Sequence, residues 1–193
     1  MTHIPHKKRE EMPEMEPMFQ MVEASMGFVP NSMFTMAHWP ALLQAFAQLG
    51  GTVLGPGEID AGLKQLIAFV SSNASGCRYC QAHTSHGAEK RGVSTEKINA
   101  AFEFESSDRF SDAERAALTV ALYGGTVPNG VEESHMAELT EHYNDKQIVE
   151  IISVIALFGF LNRWNDTLAT TLEEAPISFA SKHLSGWEVG KHS

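Results

Sequence analysis

The residues most able to do chemistry lie together in the segment SGCRYCQAHTSHGAEKRG, which spans residues 75–92. This segment holds both cysteines of the chain, Cys77 and Cys80, and His83 follows three residues later. Two thiols at this spacing could form a reversible disulfide, bind a metal ion, staple the fold or pack as inert core residues. The imidazole beside them can take up and return protons near neutral pH.

The helical phase places Cys77 and Cys80 on one face, because residues three apart are neighbours on a helix surface. Ser75 and Gly76 interrupt the preceding helical pattern, so a new helix is expected to begin at Cys77 and end near Gly92. Unpaired backbone N–H groups and the helix dipole at such a start stabilise a thiolate over a thiol. This position favours a redox-active pair.

A metal site is the main rival to that interpretation. Cys77, Cys80, His83 and His86 have the spacing C-x2-C-x2-H-x2-H. Each step of three residues turns the side chain back by about 60°, so the first and last ligands diverge by roughly 180°. Four such side chains on one helix cannot enclose a tetrahedral ion. We therefore predict no metal and no cofactor, and inert packing of the two cysteines stays open as the alternative.

The elements that must position these residues are predicted to be helices throughout, since no segment alternates with the period of a strand. One helix is expected from about Ile59 to Asn73, directly before the cysteines. The capping box SDAE starts another at Ser111, and Asp145 starts a long final helix. We predict one all-helical domain over residues 1–175, followed by a loosely held C-terminal extension over residues 176–193.

Two segments of the chain resemble each other. KQLIAFVSSNA at residues 64–74 aligns without gaps with KQIVEIISVIA at residues 146–156. Continuing this register places Gly159 opposite Cys77 and Asn162 opposite Cys80, so the second copy would lack the thiols. Both an internal duplication and two buried helices with similar patterns would explain the match.

Composition limits the function classes. Hydrophobic residues make up 43% of the chain, charged residues make up 20%, and the formal net charge is −10. The negative charge argues against a nucleic-acid or anionic-membrane partner. The apolar run from Ile151 to Leu161 is too short to span a bilayer, and the first residues do not form a secretory signal. We therefore expect a cytoplasmic protein, in which a close cysteine pair is more often redox, catalytic or metal-binding than a structural staple.

The helix containing KQLIA, followed by GCRYCQAH and GVS, resembles the carboxymuconolactone decarboxylase and alkylhydroperoxidase D family. FVPNSMFTMAHWPALLQAF upstream and FLNRWNDTL downstream are similar to its peroxidase-related branch. The resemblance covers roughly Gly27 to Leu172 and implies an all-α bundle of the alkylhydroperoxidase D-like type, assembled as homo-oligomeric trimers or hexamers. It also implies thiol-dependent reduction of a peroxide substrate, with a protein dithiol as electron donor.

The family's redox members also imply roles for individual residues. Their second cysteine attacks the peroxide and the first resolves the product, which assigns these roles to Cys80 and Cys77. Gln65 stands where they carry a proton-relay glutamate, and Thr84 stands where the best-studied type carries its relay histidine; His83 lies one residue earlier. Because an amide cannot accept a proton at neutral pH, Gln65→Glu is expected to restore a base.

Two further functions remain open at this point. One is a lyase or hydrolase acting on a small carboxylated substrate, with His83 as its acid–base residue. The family's decarboxylase branch lacks the cysteine pair, however, so the pair itself favours redox chemistry. The other is a non-enzymatic oligomer whose disulfide senses redox state.

Overall fold

The structure is a computed structural model that describes residues 2–193. Within these residues it contains ten α-helices and no strand, which confirms the predicted all-α class. The helices are α1 Glu16–Met26, α2 Asn31–Met36, α3 Pro40–Leu54, α4 Ala61–Ala74, α5 Arg78–Lys90, α6 Thr95–Ala100, α7 Asp112–Gly124, α8 Glu133–His142, α9 Asp145–Leu168 and α10 Glu174–His183.

Side-chain caps fix where the central helices begin. Asp60 precedes α4, and its carboxylate accepts hydrogen bonds from two backbone N–H groups of the first turn. The predicted capping box is confirmed: Ser111 and Glu114 bond reciprocally at the start of α7. Asn144 and Gln147 form a second box at the start of α9. Each box satisfies N–H groups that have no partner inside the helix.

Helix α4 forms the centre of the core. It packs against α5, α7 and α9, and α5 in turn contacts α9 and α10. Leu66, Ile67 and Phe69 of α4 are fully buried, as expected for a helix enclosed on several sides. A smaller apolar cluster joins α1, α2 and α3. The thiol-bearing start of α5 is therefore surrounded by structure.

The expectation of a loosely held tail over residues 176–193 is wrong. Helix α10 crosses the predicted boundary, and Ala180, Leu184 and Trp187 are buried. A short 3₁₀ turn, Gly190–His192, follows, and Leu172 donates its backbone N–H to the His192 carbonyl at 2.9 Å. Because apolar residues are spaced along one face of α10, the segment buries that face against α5 despite its Ser and Gly content.

The two similar segments, residues 64–74 and 146–156, occupy different surroundings. Helix α4 ends at Ala74, whereas α9 continues without a break to Leu168. Lys64 is 2% exposed and the aligned Lys146 is 66% exposed. The match is confined to a helical pattern and does not extend to the packing of the two helices.

Lys64 links α4, α9 and the loop between α3 and α4. Its ammonium donates to the carbonyls of Val53 and Gly55 at 3.0 and 3.1 Å, and it lies 3.1 Å from the Glu150 carboxylate. Glu150 also accepts hydrogen bonds from the backbone of Glu58 and Ile59. These backbone hydrogen bonds, ahead of the Lys64 charge, hold the pKa of Glu150 at about 2.

Removing this buried ammonium should destabilise the fold. We expect Lys64→Met to lower the free energy of unfolding by about 3 kcal/mol, because Glu150 would keep a half-buried charge without its partner. Lys146→Met is the matched control. It breaks an exposed ion pair with Glu58 and should change stability little. Urea denaturation followed by circular dichroism measures the free energy of unfolding of both variants. Equal losses in the two variants would contradict a special stabilising role for the buried Lys64 ammonium.

Helix α9 is long and apolar enough, by length and composition, to cross a membrane. Its 18-residue apolar window has a mean hydropathy of 1.4, and 33% of that window is buried inside the chain. Its buried residues, including Ile151, Val154 and Leu157, pack in the main core with α4 and α7. We interpret α9 as a core helix of the bundle with one apolar face left uncovered.

Candidate active site

The two thiols lie where the sequence predicts them, at the start of a helix. Cys77 is the residue immediately before α5 and Cys80 lies in its first turn. Both are free, and they are 0% and 2% exposed, respectively. The break at Ser75 and Gly76 is held by Ser75, which donates its hydroxyl to the Gly125 carbonyl at 2.7 Å. The turn thereby joins the start of α5 to the end of α7.

The two thiols differ in acidity. A hydrogen bond from the Cys80 thiol lowers the pKa of Cys77, although burial opposes this. Burial raises the pKa of Cys80 well above its ordinary value, and its interaction with Cys77 adds to that rise. The first proton to leave the pair is therefore the one on Cys77. The remaining thiol can then stabilise the thiolate by donating to it.

Polar groups surround the pair inside the core. Asn165 of α9 directs its amide N–H toward Cys80 Sγ at 3.7 Å. Several other buried polar atoms here have no hydrogen-bond partner: Asn165 Oδ1, Thr170 Oγ1, His192 Nε2 and both amide atoms of Asn162. Buried polar atoms are normally paired, so this cluster marks a place where a polar ligand or reaction intermediate could be bound.

His83 belongs to a network centred on Glu173. The His83 ring stacks on Tyr79 with centroids 4.4 Å apart, and its Nε2 lies 2.5 Å from Glu173 Oε2. The Tyr79 hydroxyl donates to Glu173 Oε1 at 2.9 Å, and the backbone N–H of Asn31 donates to the same oxygen. A carboxylate only accepts, so His83 Nε2 carries a proton. His83 is therefore placed to act as a proton donor.

The Glu173 carboxylate is kept ionised inside the protein. Burial by itself would raise its pKa, but the His83 charge and the hydrogen bonds from His83, Asn31 and Tyr79 together lower it below the ordinary value. A carboxyl whose pKa is lower in the folded state stabilises the fold above its unfolded pKa, here 4.5. That contribution is lost as the pH falls through the folded pKa.

Neutralising Glu173 should therefore weaken the fold in a pH-dependent way. We expect Glu173→Gln to reduce the free energy of unfolding by about 3 kcal/mol at pH 7. The deficit should shrink as the pH falls from 4.5, where the unfolded carboxyl takes up its proton, through the lower pKa of the folded state. The exposed neighbour supplies a control, Glu174→Gln, which should change stability little. A deficit that is constant from pH 3 to 7 would rule out the charge as its cause.

Gln65, the fourth residue predicted for the site, lies on α4 and faces a later part of α5. A Cβ atom added to Gly87 would lie 2.5 Å from Gln65 Oε1, so the amide fills the space beside that glycine. Gly87 is seven residues past Cys80, which is about 10 Å along the helix axis. The structure brings Cys77, Cys80 and His83 together and places Gln65 about one turn of α5 beyond His83 and two turns beyond Cys80.

A second titratable cluster lies on the Cys77 side of the site. Cys77 Sγ, a carboxylate oxygen of Asp166 and a ring nitrogen of His192 all lie within 4.8 Å of one another. These donor types also suit a metal ion, but Asp166 is already paired with Lys191 at 2.7 Å. Three ligands are also one fewer than a closed structural zinc site uses. We interpret the cluster as a proton-transfer group.

Glu173, Asp166, Asn165 and His192 were not anticipated from the sequence. They lie about 85 to 115 residues beyond the thiols. Helical periodicity does not indicate which polar side chains of different helices come into contact. One signal was available. Asn162, Asn165 and Asp166 follow an apolar run at helical spacing, so they place polar groups on the face that continues the core.

The all-α fold, with a C-x-x-C pair at a helix start beside a buried histidine–carboxylate pair, defines a class: the chain belongs to the carboxymuconolactone decarboxylase family. The family model matches residues 40–123. Over nearly its full length the chain is similar to the debrominase Bmp8. It is 39% identical to the apo form of Bmp8, with a TM-score of 0.86. The match covers 92% of this chain and 95% of the Bmp8 chain.

A Cys-to-Ala variant of Bmp8 in complex with 2,3,4-tribromopyrrole gives 38% identity and a TM-score of 0.89, over 94% of this chain and 97% of that one. A peroxidase-related protein with an alkylhydroperoxidase AhpD core, from Ralstonia eutropha JMP134, is 25% identical with a TM-score of 0.76, over 91% and 94% of the two chains. YnjA of Escherichia coli (strain K12) is 26% identical over 110 residues, which span 57% of this chain and 60% of YnjA.

Proposed function

We propose that this protein is a dithiol oxidoreductase in which Cys77 and Cys80 reduce a small substrate by two electrons and become a disulfide. The observation that carries the proposal is the pair of free, buried thiols at the start of α5, one with a lowered and one with a raised pKa. A buried pair is protected from bulk oxidants and still close enough to close a disulfide within one helical turn.

Peroxide reduction is our first candidate for the reaction. Cys80 sulfur attacks the peroxide oxygen, the O–O bond breaks, and Cys80 becomes a sulfenic acid while the alcohol product leaves. Cys77 starts as a thiolate and takes the Cys80 proton, and His83 protonates the leaving oxygen and is reprotonated from solvent. Cys77 then attacks the sulfenic sulfur and water leaves. A cytoplasmic protein dithiol would reduce the disulfide and complete the cycle.

Reductive dehalogenation is the second candidate, and the similarity to the debrominase Bmp8 over almost the whole chain favours it. The electron balance is the same as for a peroxide. A carbon–bromine bond is replaced by carbon–hydrogen, bromide leaves, and two thiols become one disulfide. The buried polar atoms of Asn162, Asn165 and Thr170 would then face a flat polar heterocycle.

A single-turnover experiment separates these reactions. Reduced protein is mixed in stopped flow with hydrogen peroxide, cumene hydroperoxide or 2,3,4-tribromopyrrole, and free thiols, bromide and intact mass are measured. The proposal requires one equivalent of substrate to be consumed as the protein loses two hydrogens from the peptide that contains both cysteines. Thiol oxidation without catalytic turnover under a dithiol donor would indicate a redox sensor. Turnover of a carboxylated substrate by a protein lacking both cysteines would indicate a lyase or hydrolase.

We also propose that the protein is a homo-oligomer, a trimer or a hexamer. A groove of about 970 Å³ runs between α7, α9 and the loop after α7, with an apolar lining that includes Val127, Ile152 and Phe160. These three side chains are 78%, 39% and 39% exposed. A single copy of the chain leaves this face uncovered, and a second copy would remove its apolar surface from water.

Charges placed in the groove should break the assembly. We expect the wild type to have an oligomeric mass by light scattering at micromolar concentration. The double variant Ile152→Glu/Phe160→Glu should shift to a monomer, because burying two carboxylates at an interface is costly. Val149→Glu, exposed on α9 outside the groove lining, should leave the mass unchanged. A monomeric wild type would reject the proposal.

A further inference from the structure

His192 is the buried titratable side chain that the proposed reaction does not use. It is 0% exposed, and it is carried into the core by the 3₁₀ turn Gly190–His192. Its ring centroid lies 5.8 Å from that of Tyr79, the ring on which His83 stacks. A fully buried imidazole with a ring nitrogen within 4.8 Å of Cys77 Sγ needs an explanation beyond packing.

The hydrogen bonding of His192 defines which nitrogen is available. Nδ1 lies 2.9 Å from the Thr170 carbonyl oxygen, which can only accept, so Nδ1 carries the proton. Burial lowers the pKa of His192, so the ring is neutral at pH 7 and Nε2 has a free lone pair. Nε2 is buried without a hydrogen-bond partner and lies 3.6 Å from Asp166 Oδ1.

We propose that His192 is the proton acceptor of Cys77. In the proposed reaction, Cys77 receives the Cys80 proton during the first step and must lose it before it can attack. Cys77 passes the proton to His192 Nε2, which leaves a thiolate and an imidazolium ion. The thiolate closes the disulfide with the Cys80 sulfenic acid, and the imidazolium returns the proton to the departing hydroxide as water.

Asp166 gives the imidazolium a partner. Its carboxylate lies beside Nε2, and it attracts the positive charge that His192 acquires. Burial lowers the pKa of His192 most, and Lys191, which is paired with Asp166, adds to that lowering, so the resting imidazole is neutral. The other titratable groups that face Cys77 and His192 are Cys80 and Tyr79, and burial raises the pKa of both. Neither can take up the proton of Cys77 at neutral pH.

The separation of Cys77 Sγ from His192 and Asp166 fits a proton relay whose hydrogen bonds shorten during the reaction. The ring nitrogen, the carboxylate oxygen and Cys77 Sγ lie within 4.8 Å of one another, which one water molecule or a rotation of the thiol can bridge. Catalytic hydrogen bonds are commonly long in unliganded proteins and shorten with substrate. The inference rests on the proposed dithiol chemistry, but the acidity of Cys77 can be tested without any substrate.

The test uses Cys80→Ser as the background, so that iodoacetamide reports Cys77 alone. Its alkylation rate is measured from pH 5.5 to 9.5 with His192 present and in Cys80→Ser/His192→Gln. We expect the His192→Gln protein to react about 10²-fold more slowly at pH 7. The difference should vanish above the thiol pKa, where Cys77 ionises without a base. The control His183→Gln, on α10, should leave the profile unchanged.

Three results would overturn the inference: identical profiles, a loss that is uniform across the pH range, or stoichiometric zinc that is bound by the purified protein and lost with His192. A uniform loss would indicate a structural role alone. If His192→Gln does not fold, His192→Asn takes its place, with the same loss at pH 7 expected because neither amide can accept a proton. Since no oxidant is used, the result is independent of whether the protein reduces peroxides or organobromides.

Discussion

Replacing Cys80 with serine is expected to abolish turnover, lowering the catalytic rate by about 10³-fold or more. A hydroxyl at this position keeps the hydrogen bonding but cannot donate the two electrons that the substrate takes. The measurement is consumption of whichever substrate oxidises the wild type, under excess dithiol donor. Ser85→Ala is a suitable control, because this buried hydroxyl on the same helix bonds only to the Ala82 carbonyl.

Retention of more than a tenth of the wild-type rate by Cys80→Ser would remove Cys80 from the chemistry. It would also leave the redox proposal without its nucleophile. Loss of activity accompanied by a lower unfolding midpoint would be uninformative on its own. The test is therefore read beside the thermal unfolding curve, in which Cys80→Ser and Ser85→Ala should both stay close to the wild type.

Replacing Cys77 with serine is expected to stop the reaction after one turnover. Cys80 would still attack, but its sulfenic acid would find no thiol to close the disulfide, so multiple-turnover activity should fall by about 10²-fold or more. With one equivalent of peroxide, mass spectrometry should show a gain of one oxygen atom, and dimedone should label Cys80. Wild-type protein treated in the same way should lose two hydrogens and take up no dimedone.

The same pair of variants decides the order of the two thiols. The resemblance to the family's redox members implies that Cys80 attacks, whereas the lowered pKa of Cys77 makes that thiol the first to ionise. Both statements hold if the Cys77 thiolate acts first as the base that takes the Cys80 proton. Dimedone labelling of Cys77 in Cys80→Ser, as fast as that of Cys80 in Cys77→Ser, would reverse the roles.

Local signals predicted the framework of the site well. The start of α5 follows from Ser75 and Gly76, which interrupt the helix and leave Cys77 at the next helix start. The capping box at Ser111 needs only four consecutive residues, so it is readable without tertiary information. Features of this kind are determined by neighbours in sequence, and the structure reproduces them to within about a residue.

The tail was misjudged because composition was given more weight than spacing. Its Ser, Gly and His content suggested an exposed extension, yet Ile177, Ala180 and Leu184 recur at intervals of three and four. That spacing is typical of an amphipathic helix, and α10 buries this face. The spacing of these apolar residues, rather than the composition of the segment, therefore predicts a helix packed against the core.

The polar partners of the thiols lay beyond sequence reasoning. Glu173 is one of 24 acidic residues, and nothing in its neighbourhood distinguishes it from the adjacent, exposed Glu174. Its importance comes from the tertiary arrangement that brings Asn31, Tyr79 and His83 to its two oxygens. For Gln65 the sequence carries a signal that the tertiary structure does not follow. Its place in the family motif suggests a role at the thiols, whereas its side chain fills the space beside Gly87.

The contacts of Glu173 also bear on the order of folding events. Its partners Asn31, Tyr79 and His83 lie 142, 94 and 90 residues away along the chain, so each contact closes a long loop. Isolated helices form within microseconds, but closing such loops is slow because it must overcome chain entropy first. The thiols should therefore remain reactive through most of refolding. A sharp fall in their alkylation rate would mark the final docking of the chain rather than the earlier appearance of helix.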